Sequence, residues 1–223
     1  MRQMRRRPMG FPASGAEPPI HVADASVWIN LAATGRCPEI LAALGASFAI
    51  VDVVLRELQR GSANGHGVLE HIQPLIQSGL IRVVEMETAD EEPYLSLVAG
   101  GTAETLDDGE AATLVVAVRL GAIALIDERK ATAIAKRRFS ALELRSSTEL
   151  LFATLPDEGG NVGPLADALF LALQRARMRV PTHWQARVIE VLGPERASAC
   201  NSLPAHLRAP LIDTVNARPV RSD

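Results

Sequence analysis

Between residues 20 and 192, short aliphatic runs alternate with stretches whose apolar positions recur at helical spacing. A strand followed by a helix cannot pair with the next strand as a hairpin. It returns by a crossover, and the two strands lie parallel. Runs that are apolar on both faces need cover on both sides. The pattern therefore predicts an α/β fold: a three-layer, doubly wound, mainly parallel sheet of about five strands, with extra helices at the C-terminal end. Strands are expected at 20–23, 47–51, 80–84, 122–126 and 142–144. Helices are expected at 26–33, 38–44, 53–59, 68–77, 106–120, 131–138, 148–154, 165–177 and 183–192. There is no internal repeat. In such sheets ligands sit beyond the carboxyl ends of the strands, where strand order reverses.

Four segments are expected: a basic leader at 1–18, a core domain at 19–155, a helical extension packed on it at 156–195, and a loosely ordered tail at 196–223. The leader carries Arg5, Arg6 and Arg7 but no apolar stretch after them, so it does not read as a secretory signal. A basic arm touching nucleic acid is one reading of it. A poorly ordered end is the other, and the commoner fate of such segments. Hydrophobic residues make up 48% of the chain and aromatic residues only 4%, so the core is aliphatic. No apolar run approaches the ~20 residues that span a bilayer. Cys37 and Cys200 stand far apart, without ligand spacing, which argues against a zinc site or disulfide framework and for a reducing cytoplasm. A net charge of −3 is unlike that of a nucleic-acid binder, unless the acids are concentrated in one site with cations around it.

The acids carry the chemistry. Asp24 ends the first strand and Asp127 the fourth, and each reads alone as the N-cap of the next helix. Together they end two strands that a doubly wound sheet often places side by side. Two close carboxylates repel, and a divalent cation with hard oxygen ligands removes that penalty. Glu57, in VDVVLRELQR, falls on the helix after the second strand and alone reads as a surface glutamate. Asp107 and Glu110, in TLDDGEAATL, have capping-box spacing, and Asp108 adds charge at the helix's positive end. Gly109 fits that reading poorly, because glycine in a first helical turn costs about 1 kcal/mol. It fits better where something approaches the backbone closely.

The stretches VADASVWINLA, VVLRELQRG, LDDGEAATLVVAVRLGAIALIDERKATAIAKRR and LRSSTELL resemble the PIN domain in order and spacing. They are most similar to the VapC-like bacterial toxin group, whose third motif reads aspartate–any–glycine–glutamate. The likeness covers about residues 20 to 155, and more loosely the helices to about 192. It departs at Phe139-Ser140, at Arg145 to Thr148, and in an insertion-like stretch at 157–164. The resemblance implies an endoribonuclease that cleaves single-stranded RNA by water activated on Mg2+ or Mn2+. It assigns Asp24, Glu57, Glu110 and Asp127 as the acids that bind the metal and carry catalysis. Asp107 matches a further acid of the motif and remains open between ligand and cap, as does the choice of one ion or two. Asp108 and Glu128 are neighbours that could replace a ligand. The resemblance also implies a small antitoxin partner and a homodimer, while the long N- and C-terminal extensions leave a stand-alone RNA-processing role as the other reading.

RNA must also be held. Ser26, Arg129 and Lys130 lie nearest the expected site, and Arg129 is the best phosphate contact because it follows Asp127 within a turn. Lys136, Arg137 and Arg138 extend that run, and Arg175, Arg177 and Arg179 form a second. A charge run more often makes a solvated face. Trp28 reads as core, and His183-Trp184 as a helix start with the indole packed inside. The alternative from another class is a non-catalytic PIN-like module that binds RNA or protein. It is disfavoured because all four family positions here are acidic. A signalling or hydrolase domain using Asp24 would want a phosphate loop or a dinucleotide glycine pattern, and neither is present.

Overall fold

A computed structural model describes residues 18–63, 67–101, 104–155 and 162–208. Residues 1–17 of the expected leader, most of the insertion at 157–164, and residues 209–223 of the expected tail lie outside the described residues. Five strands form one sheet: β1 (Ile20–Ala23), β2 (Ser47–Val51), β3 (Ile81–Val84), β4 (Ile123–Leu125) and β5 (Leu144–Arg145). Their order is β3-β2-β1-β4-β5 and every pairing is parallel. The three central strands are almost wholly buried, so both faces are covered, as their apolar runs require. Edge strand β3 is apolar at Ile81 and leaves Val83 exposed.

Eleven helices occur among the described residues. The first four are α1 (Ala25–Ala33), α2 (Cys37–Leu44), α3 (Asp52–Ala63) and α4 (Val68–Gln77). Then come α5 (Thr88–Val98), α6 (Asp108–Leu120), α7 (Arg129–Arg138) and α8 (Ser147–Thr154). The last are α9 (Gly163–Arg175), α10 (Thr182–Ser198) and α11 (Ala205–Arg208). Helix α6 is buried along nearly its whole length and packs on β1, β2 and β4. It ends cleanly at Gly121, whose φ of 58° is the left-handed cap that glycine adopts without strain.

Helix α5 lies between 85 and 105, where periodicity predicts nothing. Its ends are set by contacts instead. Glu87 and Asp90 form a capping box, and Asp90, 1% exposed, takes two bonds of 2.9 and 3.1 Å from Nε of Arg119 on α6. The apolar pattern past residue 192 is also longer than expected. Helix α10 kinks at Gly193 (φ 74°) and continues to Ser198, and Ala197, Cys200 and Leu203 are buried. Residues 196–208, expected as loose tail, are therefore packed at their start. Trp28 is fully buried and donates from Nε1 to the Ala23 carbonyl at 3.1 Å. Trp184 is half-buried and stacks on Phe152 at 4.7 Å between ring centroids.

Candidate active site

The strand order turns back between β1 and β4. Loops leaving two adjacent parallel strands in opposite directions open a crevice between them. Asp24 directly follows β1, and its backbone N–H donates to the Leu125 carbonyl of β4 at 3.2 Å. Asp127 lies two residues past the end of β4. A pocket of about 390 Å³ opens at this point, lined by Asp24, Glu57, Asp107, Glu110, Asp127 and Glu128. Six acids from the ends of two strands and from three helical segments thus face one cavity. Among the described residues no three of them stand close enough to form a closed ligand cage. They ring the pocket instead.

Two of these carboxylates are held rigidly. Asp24 is 3% exposed and caps α1, with Oδ1 accepting from the Val27 N–H at 2.8 Å and from Ser26 Oγ at 2.9 Å. Asp127 accepts at Oδ1 from the Ser147 N–H at 2.8 Å. At Oδ2 it accepts from Asn30 Nδ2 at 2.7 Å and from the Ser147 hydroxyl. Asn30 and Ser147 therefore fix Asp127, and sequence reasoning missed both. The available signal was Asn30 itself, a polar residue inside the apolar run VWINLA and 4% exposed in the fold. In sequence Ser147 shows only as part of a departure from the family's loop.

The capping box at α6 is formed as its spacing predicts. Glu110 N–H donates to Asp107 Oδ1 at 2.8 Å, and Asp107 N–H donates weakly to Glu110 Oε2 at 3.4 Å. Both residues also line the pocket. The structural and functional readings of these acids are thus compatible. Gly109 is explained by the same arrangement: a Cβ there would lie 2.5 Å from Glu57 Oε2. The glycine lets the Glu57 carboxylate reach across from α3 to the positive end of α6, where a negative charge is favoured. Asp108 does not line the pocket; it accepts from the Tyr94 hydroxyl at 2.9 Å.

The electrostatics follow from the crowding. Burial, then the charges of Asp127 and Glu110, push Asp24 well above the usual carboxylate range, against the bonds from Val27 and Ser26. Burial raises Asp127 too, opposed by Ser147 and Asn30. Burial and Asp107 raise Glu57, and the same two causes push Glu110 up to about 7. Four acids that resist ionisation in one cavity form a donor set suited to a hard divalent cation, which offsets both the burial and the mutual repulsion. By its chemistry, carboxylate oxygens alone, the donor set is of the kind that takes Mg2+ or Mn2+, although no three of the described acids converge as placed.

The residues assigned to RNA divide. Ser26 lines the pocket. Arg129 lines an adjoining groove instead. Lys130 lines neither, although its charge acts on Glu110 and its N–H donates to Glu128 Oε1 at 3.3 Å. The opposite rim of the pocket comes from the α9–α10 connection, through Arg177, Met178 and Arg179. Arg179 pairs with Glu128 at 3.0 Å.

An acid pocket at the switch point is where open parallel sheets in general place their sites, and the chain matches the model of a family described as the PIN domain over residues 20–194. The chain belongs to the PIN-domain family. The match runs past residue 155 through α9 and most of α10, so those helices belong to the family region. PIN domains have a nuclease-type fold and typically use divalent metals. No curated protein matches the chain. No helix among the described residues is long and apolar enough to cross a membrane.

Proposed function

We propose that this PIN domain is a metal-dependent endoribonuclease that hydrolyses single-stranded RNA in the cytoplasm. The observation that carries the reading is that Asp24, Glu57, Glu110 and Asp127, far apart in sequence, line one pocket at the turning point of the sheet. These four, with Asp107 beside them, would hold Mg2+ or Mn2+. When bound, the cation supplies positive charge that activates water and stabilises charge developing on the phosphate. The chain's own residues do the positioning. Asn30 and Ser147 orient Asp127, and Val27 N–H with Ser26 orients Asp24. The aspartate–any–glycine–glutamate motif at 107–110 supports the VapC-like assignment. On that reading the chain is the toxin of a toxin–antitoxin pair, acts as a homodimer and is blocked at this pocket by its antitoxin.

The purified protein is expected to cleave single-stranded RNA with magnesium or manganese and to stop when the metal is chelated. A protein that binds RNA but never cleaves it under these conditions would be the non-catalytic module instead.

The acids also predict how stability depends on pH. A carboxyl whose folded-state pKa is raised favours folding below its unfolded value, and that contribution is lost as pH rises through the folded value. For Glu110 the window runs from 4.5 to about 7, and Asp24, Asp127 and Glu57 act in the same direction. Metal-free protein should therefore lose melting temperature across that window. Magnesium at a hundred times its Kd adds about 2.7 kcal/mol, or roughly 5 to 10 °C for a chain this size. Thermal melts with and without magnesium should diverge toward pH 7 and converge toward pH 4.5. A gain from magnesium that is the same at every pH would remove these carboxylates from the metal site.

A further inference from the structure

Beside the acid pocket lies a larger groove of about 590 Å³, of opposite character. Asp127 and Arg179 line both, so the two adjoin. The groove's charged wall comes from Arg129 and Lys136 on α7, Arg145 at the end of β5, and Arg179. Its acids are already engaged. Glu149 accepts from the Ser146 N–H and hydroxyl at 2.7 and 2.8 Å. Arg145 is held by Glu143 at 2.7 Å. Among the described residues Arg129 and Lys136 form no ion pair, and both are exposed.

The wall between pocket and groove is built at a local conformational cost. Arg177 has a φ of 54°, the left-handed region that a non-glycine residue seldom adopts. Met178, 1% exposed, anchors the turn, and its N–H donates to the Ala172 carbonyl at 3.1 Å. This reversal sets Arg177 on the pocket and Arg179 on both cavities. The Arg179–Glu128 pair is solvent-exposed, and such pairs are weak enough to exchange for a phosphate.

We propose that this groove is the track for the single-stranded RNA substrate on one side of the scissile phosphate. Arg179 takes a phosphate at the boundary, and Arg129 and Lys136 take phosphates farther out. The proposal rests on the nuclease reading for its choice of occupant. It adds the path by which the strand leaves the site. Cations spaced along a groove contact phosphates and give affinity without sequence choice. The acids of the pocket repel the same backbone wherever no cation covers them, so the strand is steered to the groove.

The test is binding of a fluorescent twelve-nucleotide single-stranded RNA, read with chelator present so that cleavage plays no part. The Arg129→Ala/Lys136→Ala double variant is expected to bind at least about tenfold more weakly near 0.1 M salt. Its plot of log affinity against log salt should be shallower by about 1.4, since each single-strand phosphate contact contributes about 0.7. Arg137→Ala removes a charge from the same helix outside the groove, where Arg137 lies 3.9 Å from Glu104. It should leave the slope nearly unchanged. An unchanged slope in the double variant, or equal losses per charge in both proteins, overturns the groove. Loss of slope in a protein that never cleaves RNA with metal keeps the groove and rejects the nuclease reading. Cleavage with an unchanged slope does the reverse.

Discussion

Replacing Asp24 by asparagine is expected to abolish RNA cleavage, by at least about a hundredfold, while the metal-free protein melts at the same temperature or higher. A loss of that size exceeds what a residue that only supports a metal ligand ordinarily costs. The two effects part because Asp24 has two duties. As the N-cap of α1 it accepts the Val27 N–H, and asparagine caps a helix about as well as aspartate. As a charge it is buried beside Asp127 and Glu110, which oppose its ionisation. The amide keeps the cap, fills the same space and removes the repulsion. Magnesium should then raise the melting temperature of the variant far less than that of the parent protein. Cleavage assays and paired melts decide it. If activity survives, Asp24 is a cap and nothing more. If activity and melting temperature fall together, the loss is one of folding.

The second large effect is expected from Gly109→Ala. Alanine in a helix is favoured over glycine by about 1 kcal/mol, so helix propensity alone predicts a more stable protein. The added Cβ would stand 2.5 Å from Glu57 Oε2, and Val54 lies at 3.7 Å. The carboxylate is the end of a flexible side chain and can swing away at little energetic cost. It cannot do so and still face the pocket beside Glu110. Cleavage should therefore fall by roughly tenfold or more, because misplacing a group by about 1 Å can cost a hundredfold in rate. The melting temperature should hold or rise. Gly61→Ala is the companion measurement, since nothing lies within 4 Å of a Cβ there. It should gain stability without loss of cleavage. Full activity in Gly109→Ala would show that Glu57 has no part in the site.

Both variants separate what a residue does for its helix from what it does for the pocket, and the same division runs through the sequence. Asp107 and Glu110 have the spacing of a capping box and form one, yet both line the cavity. Their local role was legible in four residues of sequence. Their place in the pocket required β1, β4, α3 and α6 to meet. Glu57, read alone as a surface glutamate, is brought in from α3, and the trace it leaves in sequence is the glycine it needs opposite. Asn30 and Ser147 had no such trace beyond a polar residue in an apolar run. Their function is three hydrogen bonds to Asp127, one spanning 97 residues and two spanning 20.

The same reasons explain the elements. β1, β2 and α4 fall at the residues their apolar periods predict. Helix α5 does not announce itself, because it carries Pro93 and an acid-rich first turn with no sustained apolar stripe. It is stabilised by packing along α6 and by Arg119, 29 residues away from Asp90. Strand β5 is two residues long and sits at an edge, where pairing sets the boundary more than composition does.

Alternation of strand and helix by itself determined the parallel sheet, and the family texture of four acidic stretches by itself pointed to the acids. Both are properties of short segments, readable where they stand. Only the tertiary structure decided that β1 and β4 are neighbours, that Glu57 comes to rest over Gly109, and that Arg177 and Arg179 close the far rim. Those facts depend on contacts between residues distant in the chain, and such contacts leave no periodic signal in the segments they join.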